Sequence, residues 1–323
     1  MVTVISTFAG GGGSSLGYKW AGFKELLAIE WDQNAVDTLK ANFDFPVWQR
    51  DICEVTVEDI LKFCKIKKGD LDVLDGSPPC QGFSTAGKRV VSDSRNDLFK
   101  EYVRLIEGLE PKVFVMENVS GMIKGTMKGK FNEILKTLKA LNYNVKVKLM
   151  NAMWYEVPQS RERLFFIGVR NDLKIEPSFP KPRRDFISVS TALGIPASTG
   201  FLEYRHSYEK GKHKTGKSEF NKPCLTITRS QNFSVNRYGD QMVNIKKPIG
   251  TITRIGRWFL DDKNEFSLEA YKKLASYPDE FIFASFSHGK ARIGNSVPPK
   301  MMYHIAKNVA PRVGAWIETE ILL

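Results

Sequence analysis

Continuous apolar runs recur along the first half of the chain, at 2–8, 26–30, 47–51, 72–76, 113–119, 145–151 and 163–170. Between most of them the apolar positions return at helical spacing, at 32–42, 98–108 and 130–141. A strand without a polar face must be covered on both sides. Alternation of such strands with helices predicts an α/β fold built on a largely parallel sheet. Sheets of this kind bind ligands beyond the carboxyl ends of their strands. The residues with chemistry gather there: the glycines at 10–13, Glu30, Asp51, Cys80 and Glu117 each stand at or just past the end of a run.

Beyond about residue 185 the periodicity weakens, and basic, polar and aromatic residues mix, as in His206, Tyr208, Lys210, Lys212, His213, Lys214 and Lys217. One internal echo stands out: KPCLTITR at 222–229 and KPIGTITR at 247–254. Each reads as a proline-led turn entering a short strand. Two copies do not build a solenoid. A helical pattern follows at 267–277, and GNSVPP at 294–299 reads as a turn opening a helix over 300–309.

A chain of 323 residues suits one large domain, or a large and a small one. With 48 Lys and Arg against 36 Asp and Glu, the net charge of +12 favours a polyanionic partner. No apolar run approaches the ~18 residues of a membrane span. The N-terminus enters a strand directly, without the features of a signal peptide. Cys53, Cys64, Cys80 and Cys224 have no metal-ligand spacing, so no metal site is expected and a reducing, cytosolic compartment is.

The loop after the first run, Phe8 to Gly17, is rich in glycine and opens a helix, but lacks the Lys-Ser/Thr ending of a phosphate-binding loop. Glu30 can take a ribose hydroxyl pair, Trp31 can lie on an adenine ring, and Asp51 can accept its amino group. Either carboxylate alone reads as a helix cap; three such features at successive strand ends read as a nucleoside site. Cys80 is framed by Pro78, Pro79 and Gln81. A buried structural thiol needs no such frame, whereas a nucleophile does, because a preset position lowers the entropy cost of attack.

FAGGGG at 8–13, EW at 30–31, DI at 51–52, PPCQ at 78–81, ENV at 117–119, QSRER at 159–163 and GNSVPP at 294–299 follow one another over nearly the whole chain. In this order the chain resembles the DNA cytosine-5 methyltransferases of bacteria and phages. The resemblance implies a Rossmann-like, S-adenosylmethionine-dependent methyltransferase fold with a mostly parallel seven-stranded sheet. It also implies a catalytic and cofactor-binding domain at 1–185 with 286–323, and an inserted target-recognition domain at 186–285.

In this resemblance Cys80 would attack C6 of cytosine and make C5 enamine-like. Glu117 would hold N3 and the amino group, Arg163 the base O2, and Arg161 would help fix the site or the DNA backbone. S-adenosylmethionine would lie among Phe8, Gly10, Gly12, Gly13, Glu30, Trp31, Asp51, Ile52, Pro79, Leu98, Asn295, Ser296 and Val297. The segment 84–96 would close over duplex DNA, with Gln81, Ser84, Lys88 and Arg89 touching it, while the base swings out of the stack. Arg229 and Arg254, one in each TITR copy, would contact phosphate or guanine. The implied setting is a monomer in bacterial or phage-infected cytoplasm, at the nucleoid, with a cognate restriction endonuclease. Two departures stand out: Trp154-Tyr155-Glu156 precedes Val157-Pro158 where the family commonly has a glycine, and 267–281 matches the usual Arg-Glu-Ala helix only loosely. The alternatives are a tRNA cytosine-5 methyltransferase and a catalytically silent DNA-binding regulator. Against the first stands Cys224-Leu225-Thr226 in place of that branch's Cys-Phe-Thr; against the second stand Cys80, Glu117 and Arg163.

Overall fold

The apolar runs form the strands they predict. In the computed structural model, residues 1–79, 98–123, 127–195, 201–206, 241–244, 248–250, 252, 256–259 and 266–314 are described. The chain opens with β1 (Thr3–Thr7), α1 (Gly13–Trp20), β2 (Lys24–Glu30), α2 (Gln33–Asn42) and β3 (Val47–Gln49). It continues through α3 (Val57–Cys64), β4 (Val73–Gly76), α4 (Leu98–Leu109), β5 (Val113–Val119) and α5 (Lys128–Ala140). Then come β6 (Tyr143–Asn151), β7 (Gln159–Ser160), β8 (Glu162–Arg170) and α6 (Val189–Leu193). The later elements are β9 (Phe201–His206), β10 (Gln241–Asn244), β11 (Ile249–Gly250), β12 (Gly256–Phe259), α7 (Leu268–Leu274), α8 (Phe286–Asn295) and α9 (Pro299–Val309).

Seven strands make one sheet in the order β3-β2-β1-β4-β5-β8-β6. The first five run parallel; β8 runs antiparallel to both β5 and β6. The reversal at β8 follows from its connection. The chain passes from β6 to β8 without a crossover helix, and such a return gives an antiparallel pair. Side chains alternate across the sheet as a strand period requires. Val113 and Val115 face a core built with Tyr18, Met301 and Ile305 of α1 and α9. Phe114 and Met116 face the other, built with Ile60, Tyr102, Ile106 and Ile134 of α3, α4 and α5. No described helix is long and apolar enough to cross a membrane.

Within the span expected to form the inserted domain, β10, β9 and β12 make a small antiparallel sheet. Residues 266–285 behave differently. Phe266, Tyr271, Leu274, Tyr277 and Phe281 are buried with Leu16, Leu39 and Phe43 of the large body. The Asn42 side chain donates to the Ile282 carbonyl at 2.8 Å and accepts from its amide at 2.7 Å. An aromatic cluster thus packs 266–285 against α2 of the large body. GNSVPP also differs from expectation. Its Gly294 and Asn295 end α8, an additional helix, before Pro299 opens α9.

Candidate active site

The loop after β1 turns sharply: Phe8 takes φ 53°, a left-handed conformation costing a bulky residue about 1–3 kcal/mol. Gly13 is required by proximity. A Cβ there would stand 2.3 Å from the Val297 carbonyl oxygen and 2.8 Å from the Tyr277 hydroxyl. The Gly10–Gly13 loop and the Ser296-Val297 turn are therefore in direct contact, although they lie at opposite ends of the sequence. Val297 is buried, Asn295 is exposed, and Ser296 donates to the Ile293 carbonyl at 3.1 Å. Burial pushes the Tyr277 phenol up to about 12.

Glu30 ends β2 and is 8% exposed. One carboxylate oxygen accepts the Gly10 amide at 2.8 Å; the other accepts the Trp31 and Asp32 amides, both at 2.9 Å. Three backbone donors hold this carboxylate in one pose at the mouth of the loop. Beside it the Trp31 indole is 74% exposed, an aromatic face left uncovered by the protein. Asp51 caps the turn after β3 by accepting the Cys53 amide at 3.0 Å, and Ile52 is buried beneath it. Leu98 starts α4 half-buried against the core. A glycine loop, a posed carboxylate and a bare indole at adjacent strand ends fit the adenosine part of S-adenosylmethionine.

The second cluster lies at the carboxyl end of β5 and the start of β8, which the antiparallel register brings together. Arg163 Nε meets Glu117 Oε1 at 2.8 Å, with side chains 13% and 11% exposed respectively. The neighbouring Asn118 donates to the Pro78 carbonyl at 3.2 Å and accepts the Val119 amide at 2.8 Å. The acid–arginine pair is thus tied to the chain one residue before the half-buried Pro79. Cys80, Gln81, Ser84, Lys88, Arg89, Arg229 and Arg254 lie outside the described residues.

Arg161 is 1% exposed and reaches no surface. Its guanidinium donates to the carbonyls of Ile252 at 3.1 Å and Gly294 at 3.0 Å. Burial, with Arg163 acting in the same direction, depresses its pKa well below the usual arginine value. This is the environment of a brace joining three chain segments, not of a DNA contact. Gln159 joins the same brace by accepting the Ile252 amide at 3.0 Å, and β11 pairs with β7 in parallel. The second TITR copy is therefore anchored on the QSRER segment through backbone atoms and the buried Ile249 and Ile252.

Two acids, one buried and one half-buried, escaped the sequence reading. Asp75, on β4, is 3% exposed and lies 3.2 Å from the Tyr18 hydroxyl. Burial pushes its carboxyl up to about 7, and that of Glu25, which accepts from Ser15 at 3.0 Å, up to about 8. Asp75 lies inside the apolar run 72–76 and Glu25 just before the run 26–30, so neither stood out as a polar site.

The sheet order, the loop after β1 and the posed Glu30 define a Rossmann-like, S-adenosylmethionine-dependent methyltransferase. The chain belongs to the C-5 cytosine-specific DNA methylase family, whose model matches residues 2–310. It is a DNA (cytosine-5)-methyltransferase with S-adenosylmethionine as methyl donor, and this placement favours DNA over the tRNA alternative. The Type II methyltransferase M1.HphI of Haemophilus parahaemolyticus is 32% identical, over 95% of this chain and 86% of its own length. M.FnuDI of Fusobacterium nucleatum, also a Type II methyltransferase, is 32% identical over 95% of this chain and 93% of its own. Among solved structures, a candidate DNA modification methyltransferase encoded within an E. coli prophage superposes with a TM-score of 0.73 at 25% identity, covering 98% of this chain and 100% of that one. The S. pombe Dnmt2 methyltransferase, at 16% identity and a TM-score of 0.64 over 96% of this chain and 99% of its own, shares the fold.

Proposed function

We propose that Cys80 is the nucleophile of this methyltransferase and that Glu117 and Arg163 grip the target cytosine beside it. The observation that carries the reading is the 2.8 Å Glu117–Arg163 pair, held by Asn118 to the Pro78 carbonyl. Only Pro79 separates that anchor from Cys80. A carboxyl group can share a proton with cytosine N3 and accept from its amino group, and a guanidinium can hold O2 as charge builds on the ring. The Cys80 thiolate adds to C6, C5 becomes nucleophilic and takes up the methyl group, and a base, water, then removes the C5 proton so that the C5–C6 double bond re-forms and the thiolate leaves. The bound cofactor supplies an electrophilic methyl group on its sulfonium. Glu30 and Trp31 would hold its ribose and adenine, with Asp51 near the adenine amino group. Gly10, Gly12, Gly13 and the turn at Asn295 and Ser296 would seat the remainder.

The duplex is read by the inserted segment within 186–285, whose last stretch packs on α2 of the catalytic body. Phosphate and base contacts there fall to residues such as Arg229 and Arg254, and 84–96 covers the flipped base. The enzyme acts as a monomer at the nucleoid, and the Type II names of its relatives support a partner endonuclease of the same specificity. The test is a duplex carrying 5-fluorocytosine at the target. Fluorine does not leave as a proton does, so wild-type protein with cofactor traps a complex that survives denaturing electrophoresis. Cys80→Ser traps none while still binding S-adenosylmethionine. Absence of the trapped species with wild type on methylatable sites overturns the assignment.

A further inference from the structure

We propose that Arg292 is a positioning residue for the cofactor, reaching from α8 across Gly11 to hold the turn that carries Glu30 and Trp31. Arg292 Nη2 lies 3.3 Å from Asp32 Oδ2, with side chains 15% and 36% exposed. Asp32 is the hub of that turn. Its amide donates to Glu30 Oε1 at 2.9 Å, the same oxygen that accepts the Trp31 amide, and its Oδ1 caps α2 by accepting the Ala35 amide at 3.1 Å. Fastening Asp32 therefore fastens the carboxylate and the indole together.

Gly11 supplies an independent observation. A Cβ at Gly11 would stand 2.9 Å from Arg292 Cβ, 3.2 Å from its Cγ and 3.4 Å from its Cδ. Its φ lies outside the left-handed range, so the glycine is explained by the arginine stem crossing it and not by backbone conformation. The same helix runs directly into Asn295, Ser296 and Val297. One ion pair thus closes the ligand-binding rim between the two ends of the chain.

The inference rests on the reading that Glu30 and Trp31 hold the adenosine part of the cofactor. The test compares Arg292→Gln, Asp32→Asn and the double variant, measuring S-adenosylmethionine affinity by calorimetry, KM and kcat for methylation, and melting without ligand. Asn at position 32 keeps the helix cap. Each single variant is expected to weaken cofactor binding about fivefold, the scale of a partly exposed ion pair. The loss appears in KM for the cofactor and not in kcat. The double variant is no weaker than the weaker single, because both remove one contact. Arg292→Lys, which keeps the cation, restores affinity to within about twofold of wild type. Unchanged affinity in Arg292→Gln, additive losses, or a lower melting temperature with unchanged affinity overturns the inference. Trp31→Ala separates the two readings. If it leaves affinity intact, the adenosine assignment itself fails. If it weakens binding while Arg292→Gln does not, only the role of Arg292 falls.

Discussion

Asp75→Asn should make the protein more stable at alkaline pH, against the usual expectation for removing a buried, hydrogen-bonded carboxyl group. The carboxyl sits under α1, 3% exposed, against the Tyr18 hydroxyl at 3.2 Å, and burial pushes it up to about 7. Its pKa in an unfolded chain is about 3.9. The folded protein therefore holds this proton more tightly than the unfolded chain does. Stability is greatest below the unfolded value and falls as pH rises toward about 7, levelling above it. Integrated from about pH 5 to about pH 8, this one group costs the fold up to about 3 kcal/mol. In a chain of this size ~1 kcal/mol moves the melting temperature by about 2–4 °C. Asparagine matches the neutral carboxyl in shape and charge and still accepts from Tyr18. Denaturation of wild type and Asp75→Asn across that pH range isolates the group, since titrations common to both cancel in the difference. The variant should gain on wild type as pH rises, by up to about 5–10 °C in melting temperature. A difference that does not vary with pH, or a variant that loses ground at high pH, refutes the assignment of a neutral Asp75 in the folded state. Glu25→Gln should act in the same direction with its transition displaced toward about 8.

Glu117→Gln should lower the methylation rate by about 10²–10⁴-fold, the scale of a lost acid–base contact, with cofactor affinity by calorimetry unchanged. Gly13→Ala places a methyl group 2.3 Å from the Val297 carbonyl oxygen, so the loop and the turn must part. A stability loss of about 1–3 kcal/mol in denaturant unfolding, together with weakened S-adenosylmethionine binding, is the expected result.

The strands of the large sheet were legible as apolar runs, most plainly β1, β4 and β5 at its centre, which are buried on both faces. Val113–Val119 was given its observed bounds by pattern alone. Three helices were not legible, for different reasons. α3 has its apolar stripe at Val57, Ile60, Leu61 and Cys64, but over only about two turns. α6 is five residues long, too short to show a period. α8 buries Gly289, Lys290, Ile293 and Gly294, and a stripe containing glycine and lysine gives no hydrophobic period. The Lys290 ammonium lies instead over the rings of Tyr271 and Phe286, 5.6 and 6.0 Å from their centroids. Losing α8 from view also hid Arg292.

Site residues divide along the same line. Glu30, Trp31 and Glu117 declared themselves because strand ends are where such sheets bind ligands. Arg161 and Arg163 look equivalent in QSRER, yet one meets a carboxylate and the other two backbone carbonyls. That distinction depends on where Ile252 and Gly294 arrive, which is a matter of long-range packing. Arg163, the second residue of β8, stands opposite Val119, so β-sheet register carries it to Glu117. Arg161 lies in the bend between β7 and β8, where the returning chain closes over it. The two arginines of one motif thus take different surroundings: Arg163 pairs with Glu117, whereas Arg161, with Gln159, binds Ile252, inside the span expected to form the inserted domain. The QSRER stretch therefore joins the Glu117–Arg163 pair to the chain at Ile252 and Gly294.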